Sequence, residues 1–170
     1  ADYMNHQEPG HMWMELLSGE QLAIDAAVLE GEPVWWRHTT AAGLGDGVFD
    51  YWTVTGERRP EVETYCGDWV RKHLAGYTGM VNFETIGGRI IEGHLRFSDQ
   101  WPDLYGGRPW VESVIALYAD HRWTLNEADR RAGYSVVLFG GHGIRLNTLL
   151  HHTPDGANDF IAAAVIKGHG

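Results

Sequence analysis

Residues 77–97 read YTGMVNFETIGGRIIEGHLRF. Two runs of β-branched and aromatic residues flank Gly87-Gly88, which is the sequence pattern of a β-hairpin. Strand side chains alternate faces with period two. On the first strand Val81, Phe83 and Thr85 share one face, and Met80, Asn82 and Glu84 take the other. On the second, Ile91, Leu95 and Phe97 are apolar with Gly93 between them, while Ile90, Glu92, His94 and Arg96 take the opposite face. Burying the two apolar faces together sets the register. A loop of Ile86, Gly87 and Gly88 pairs Asn82 with Glu92 and Glu84 with Ile90, whereas a two-residue loop would put Phe83 opposite Glu92 and mix the faces. The expectation is a patch of Asn82, Glu84, Glu92, His94 and Arg96 that points away from the helix covering the apolar side.

That helix is readable immediately upstream. Pro60 suits a first helical turn and Gly76 suits the position after the last. Between them Val62, Tyr65, Cys66, Trp69, Val70 and His73 recur at spacings of three and four, the buried stripe of an α-helix. Further upstream, WMELL, QLAIDAAVL and EPVWWRH read as three strands of an antiparallel meander, broken at Ser18-Gly19 and Glu30-Gly31. Residues 39–50 hold several turn formers and read as a loop before a short strand from Tyr51 to Val54. Downstream, a second helix is expected from Pro109 to about His121, with Trp110, Val111, Val114, Ile115 and Leu117 or Tyr118 buried. YSVVLF at 134–139 reads as a buried strand, and DFIAAAVIK at 159–167 is too short to assign. The expected fold class is therefore α+β, a mostly antiparallel sheet with helices packed on one face. Residues 1–12 are polar and aperiodic and read as an arm or the tail of an upstream region. Residues 13–170 read as one domain.

Composition narrows the partners. The chain has 170 residues, 44% hydrophobic and 21% charged, which is globular rather than disordered. Its formal net charge is −10, with only two lysines, Lys72 and Lys167, and no basic cluster beyond paired arginines, so duplex nucleic acid is excluded as a partner. There is no apolar run of roughly 18 residues and no leader-like start, so the expectation is a soluble, cytoplasmic chain without a membrane role. The single cysteine, Cys66, cannot form an internal disulfide and sits on the buried stripe, where it reads as a core thiol.

The polar patch has two readings. It is either the solvated face of a half-exposed sheet with ordinary salt links, or an oxygen-rich cation site in which Glu and Asn offer hard ligands beside an anion-gripping Arg96. Pattern alone leaves both open.

The order of elements adds a resemblance. WMELLSGEQLAIDAAVLEGEPVWW, a loop, a helix and then GMVNFETIGGRIIEGHLRFS resemble the second half of an ATP-grasp domain, the fold of carboxylate–amine and carboxylate–thiol ligases. The likeness spans about residues 12–97. Its most specific piece is EGHLRFS, which resembles the family's E-x-N-x-R metal strand. The resemblance implies that Glu92 is a bridging metal carboxylate and Arg96 a catalytic arginine that holds phosphate or an acyl phosphate. Asn82 stands where the family has an acid, and His94 where it has asparagine, with Glu84 a co-facial acid that could compensate. Imidazole suits Mn²⁺ or Zn²⁺ better than Mg²⁺. At the hinge, Met14, Glu15 and Leu16 become the candidates for the adenine edge, and Glu20 or Gln21 for the ribose. The implied cofactors are ATP and Mg²⁺, with Mn²⁺ as an alternative. The implied partners are a small carboxylate substrate and an upstream lid domain that carries the phosphate-binding lysines. A degenerate, non-catalytic module of the same fold is the alternative.

Other features carry ordinary structural readings. His38, His142, His151 and His152 lack zinc-ligand spacing. The glycines of GLGDG at 43–47 and GGHG at 140–143 are turn formers, not bracketed as a phosphate loop. Trp35, Trp36, Trp52, Trp101, Trp110 and Trp123 could line a sugar groove in an aromatic-rich β-sandwich, a reading that the 60–76 helix would exclude.

Overall fold

Strand β1 (Gln21–Leu29) is buried at every position from Leu22 to Val28, which a strand with one solvated face cannot be. The computed structural model describes residues 9–10, 14–45, 48–98, 100, 102–125, 131–136 and 162–164. It shows β1 near the middle of a seven-stranded sheet ordered β5-β4-β1-β2-β3-β6-β7. The other strands are β2 (Glu32–Gly45), β3 (Val48–Thr55), β4 (Gly79–Ile86), β5 (Arg89–His94), β6 (Gly133–Val136) and β7 (Ala162–Ala164). Neighbours pair antiparallel except β6 with β7, which run parallel. The α+β class with a largely antiparallel sheet holds.

The helices, however, lie on both faces and not on one. Helix α1 (Pro60–His73) places Cys66 and Val70 against Leu22, Ile24, Ala26 and Val28 of β1 and Val81 and Phe83 of β4. Helices α2 (Pro102–Tyr105) and α3 (Arg108–Asp120) place Leu104, Tyr105, Trp110, Val114 and Leu117 on the other face, against Ala23 and Ala27 of β1 with Trp35, Trp52 and Met80. Trp35 packs edge-on against Tyr105 at 5.3 Å between ring centroids, so these tryptophans are core fillers and not a stacking platform. The length of α1 excludes the aromatic β-sandwich.

Several local expectations shift for the same reason. Residues 39–45 continue β2 and residues 48–50 open β3, because β1 pairs with β2 as far as Thr40 and β3 pairs with it out to Gly45, which overrides the turn formers. Residues 14–20 are not a strand; they cross the tip of the β4–β5 hairpin, where Gly87 N donates to Glu20 O at 2.9 Å. On α1, Tyr65 and His73 face solvent, and the buried positions include Glu63. On α3, Val111, Ile115 and Tyr118 are 43%, 61% and 49% exposed, because the sheet accepts only the Trp110–Val114–Leu117 side. Tyr134 of β6 is half-exposed and Ser135 buried, while 137–139 lie outside the described residues. So do nearly all of the arm, most of 159–167, Trp101, and the histidines at 142, 151 and 152.

The hairpin uses the two-residue turn that simple alternation disfavours. Gly87 and Gly88 both have positive φ, +57° and +78°, as a type I′ turn requires. Ile86 then pairs with Arg89 and Thr85 with Ile90, and a β-bulge absorbs Ile91 so that Glu84 pairs with Glu92 and Asn82 with His94. The bulge restores the face parity that a third loop residue was expected to supply, but in another register: Asn82 pairs with His94 and Glu84 with Glu92, not Asn82 with Glu92 and Glu84 with Ile90. Ile90 accordingly belongs to the α1 side and not to the polar face.

Candidate functional site

The β4–β5 hairpin forms one edge of the sheet, and its register brings four of the five expected patch residues onto one face. Directly opposed residues of antiparallel strands share a face. Glu84 faces Glu92, and Asn82 faces His94. Ala23 and Asp25 of β1 lie opposite Glu84 and Asn82, so this is the face that α2 and α3 partly cover, away from α1. Depth differs along it. Asn82 is buried, Glu84 and His94 are half-buried, and Glu92 is 54% exposed with its Oε1 2.9 Å from His94 Nε2.

Arg96 lies beyond the end of β5 at a bend. It is exposed, and its Nη1 donates to the Phe97 carbonyl at 3.1 Å. The period-two alternation ends at His94. Leu95, expected to be buried, is 60% exposed, and Phe97 turns onto the α3 side to meet Trp110 edge-on at 5.0 Å.

Under this patch lies a residue that the sequence reading passed over. Asp25, in the middle of β1, is fully buried. Its carboxylate accepts Asn82 Nδ2 at 2.7 Å, the Ser98 backbone N–H at 3.0 and 3.1 Å, and Tyr105 Oη–H at 2.9 Å. Burial pushes its pKa up to about 6. The Ser98, Asn82 and Tyr105 hydrogen bonds and the nearby Arg96 charge limit the rise. Across the strand pair stands Arg37, whose guanidinium donates to the Leu104 and Arg131 carbonyls and lies 5.9 Å from the centre of the Tyr105 ring. The signal for Asp25 was present: an acid inside the apolar run LAIDAAVL must be solvated by something folded over it.

The hinge candidates lie along the hairpin tip. Met14 and Leu16 are 60% and 96% exposed, and Glu15 pairs with Arg89 at 2.6 Å. Glu20 reaches Thr40 and Arg59 at 3.5 Å each, and Gln21 opens β1 opposite Ile86. They are therefore near the Glu84 end of the patch, while Arg96 is at the far end.

A second buried polar group fixes α1 to the sheet. Glu63 accepts His38 Nε2 at 2.9 Å, Arg58 Nε at 2.8 and 2.9 Å and Arg59 N–H at 3.2 Å. Burial, the largest single influence, acts to raise the Glu63 pKa, but the bonds from Arg58, His38 and Arg59 outweigh it and hold it at about 2. Cys66 is buried and its thiol is pushed up to about 12, which leaves no thiolate for nucleophilic chemistry.

The paired cations that the resemblance implies do not fit this donor set. Asn82 is 3% exposed, held in the interior by its amide nitrogen's bonds to Asp25 and, at 3.4 Å, to the Ile24 carbonyl, while Glu92 is 54% exposed and paired with His94. Among the described residues no three His, Cys, Asp or Glu side chains converge where they could hold a metal ion. No described helix is long and apolar enough to cross a membrane.

Comparison with protein-family models finds no match, and comparison with curated proteins finds none either. Among solved structures, the chain is similar to the biotin carboxylase domain of a thermophilic 2-oxoglutarate carboxylase bound to bicarbonate. The identity is 18% and the TM-score 0.44, over 68% of this chain. The chain spans 29% of that neighbour's length.

Proposed function

We propose that the chain is the second lobe of an ATP-dependent carboxylate ligase of ATP-grasp type, working through an acyl phosphate. The observation that carries this reading is the hairpin face, on which Glu84, Glu92 and His94 stand together with Arg96 following at the strand end. Arg96 is an exposed guanidinium suited to a transferring phosphoryl group or an acyl phosphate, which it would hold and neutralise. Residues 14–21 would offer the adenine and ribose contacts. The lysines that hold the remaining phosphates would come from a lid preceding this lobe, and a small carboxylate is the expected acceptor of the γ-phosphate. Such a reaction would draw on cytoplasmic ATP. No step is assigned to a protein-bound cation, because the ligand set does not fit one.

The Asn82–Asp25 bond favours a second reading, a degenerate module that keeps the fold and binds nucleotide without turnover. In it the first-strand position has exchanged ligation for structural anchoring.

NMR titration of the chain with Mg²⁺-ATP, beside the Glu92→Gln and Arg96→Gln variants, tests the proposal. Arg96→Gln should lose the shifts of the hairpin resonances, whereas Glu92→Gln, which removes a negative charge from the face that meets the phosphates, should keep them. Wild-type behaviour in Arg96→Gln would overturn nucleotide binding at this face. If the wild type binds but shows no phosphoryl transfer to any carboxylate in the presence of its lid, the degenerate module stands.

A further inference from the structure

We infer that Asp25 is the positioning residue of this face: from the neighbouring strand β1, on the same side of the sheet, it fixes both the strand position opposite His94 and the segment that carries Arg96. This rests on the functional reading above. Arg96 has no secondary structure of its own, since it lies in the bend between β5 and α2. What ties that bend down is the Ser98 N–H, two residues on, which donates to both oxygens of a carboxylate from a different part of the chain. The same carboxylate holds Asn82 of β4 and Tyr105 at the end of α2. One buried group therefore joins three elements flanking the patch.

The chemistry needs an acceptor there. Three donors converge on Asp25, and a backbone N–H left unpaired in this interior would lose its hydrogen bond with no water to replace it. Asn82 is thereby better described as part of a clamp than as a cation ligand. Asparagine at position 25 would preserve the clamp: its oxygen can accept from Asn82 and Ser98 while its amide donates to the Tyr105 oxygen, whose hydroxyl can turn. Leucine would have a similar volume and no acceptor.

The experiment uses the full chain with two readouts on the same NMR sample. In the wild type, the Ser98 amide should exchange with solvent at least about a hundredfold slower than an open loop amide, since it opens only with the buried clamp. With Mg²⁺-ATP as the probe, Asp25→Leu should weaken binding by at least about fivefold, as Arg96→Gln does, because a displaced guanidinium no longer meets the phosphate. Asp25→Asn should stay within about twofold of wild type by the same reasoning. Fast exchange at Ser98 overturns the inference whether or not the leucine variant folds. So does a folded Asp25→Leu that binds as the wild type does while Arg96→Gln does not. If Arg96→Gln binds normally, the functional reading itself fails and the positioning role fails with it, an outcome separate from the two before.

Discussion

Asn82 on β4 donates from Nδ2 to Oδ1 of Asp25 on β1 at 2.7 Å, and the two residues stand directly opposite one another in the strand register. A cross-strand pair of this kind is usually solvated on a sheet's outer face. Here α2 and the 95–98 bend close over it, so the bond is part of the interior and Asp25 carries a buried charge at neutral pH.

The first consequence is a pH-dependent stability. The Asp25 pKa is raised from its usual 3.8 to about 6, so its effect on stability is most favourable below the unfolded value and is lost as pH rises through the folded one. Relative to Asp25→Asn, which does not titrate, the wild type should gain up to about 3 kcal/mol as pH falls from 7 to 4. Urea denaturation of both proteins across this range measures the difference. A constant difference would contradict the buried charge.

Glu63 has the opposite sign. Its pKa is lowered to about 2, so its contribution is complete above the unfolded carboxylate value and is lost as pH falls toward 2. Glu63→Gln should cost roughly 2–3 kcal/mol at pH 7, and the gap to wild type should close between about pH 5 and pH 2. The same denaturation series in acid checks it.

Gly87 and Gly88 should differ in tolerance although both have positive φ. A Cβ on Gly87 would collide with the Ser18 carbonyl, whereas one on Gly88 would meet only Val62 Cγ2 at 3.6 Å. Gly88→Ala should cost about 1 kcal/mol from backbone conformation, and Gly87→Ala at least about 1 kcal/mol more, because the 14–20 segment must move. Thermal or urea unfolding ranks the two, and equal costs would argue against the packing of that segment on the hairpin tip.

On the proposed function, nucleotide binding by this chain should be weak. Only two lysines are present, and a triphosphate without lid lysines should bind with a dissociation constant in the high-micromolar range or above, near about −5 kcal/mol. Low-micromolar affinity by calorimetry would contradict this.

Cys66 should resist modification. With the thiol buried and pushed to about 12, a thiol reagent at pH 8 should label it only at the rate of unfolding. Rapid labelling of the native protein would show that α1 does not pack as described.

The amino-acid sequence by itself determined what depends on near neighbours. Period-two alternation placed Asn82, Glu84, Glu92 and His94 on one face, and Pro60 with the three-and-four spacing placed α1, because strand pleat and helix pitch are local geometry. Tertiary structure decided whatever depends on what lies across from a residue. The Ile91 bulge arises because a tight Gly-Gly turn must still bring two apolar faces together. The burial of Asp25 and the sheathing of β1 on both sides arise because α2 and α3 return to the face opposite α1. The lack of alternation in LAIDAAVL signals a strand covered on both faces but does not say which elements supply the cover. What encloses Asp25 is Asn82, Ser98 and Tyr105, all 57 or more residues away along the chain.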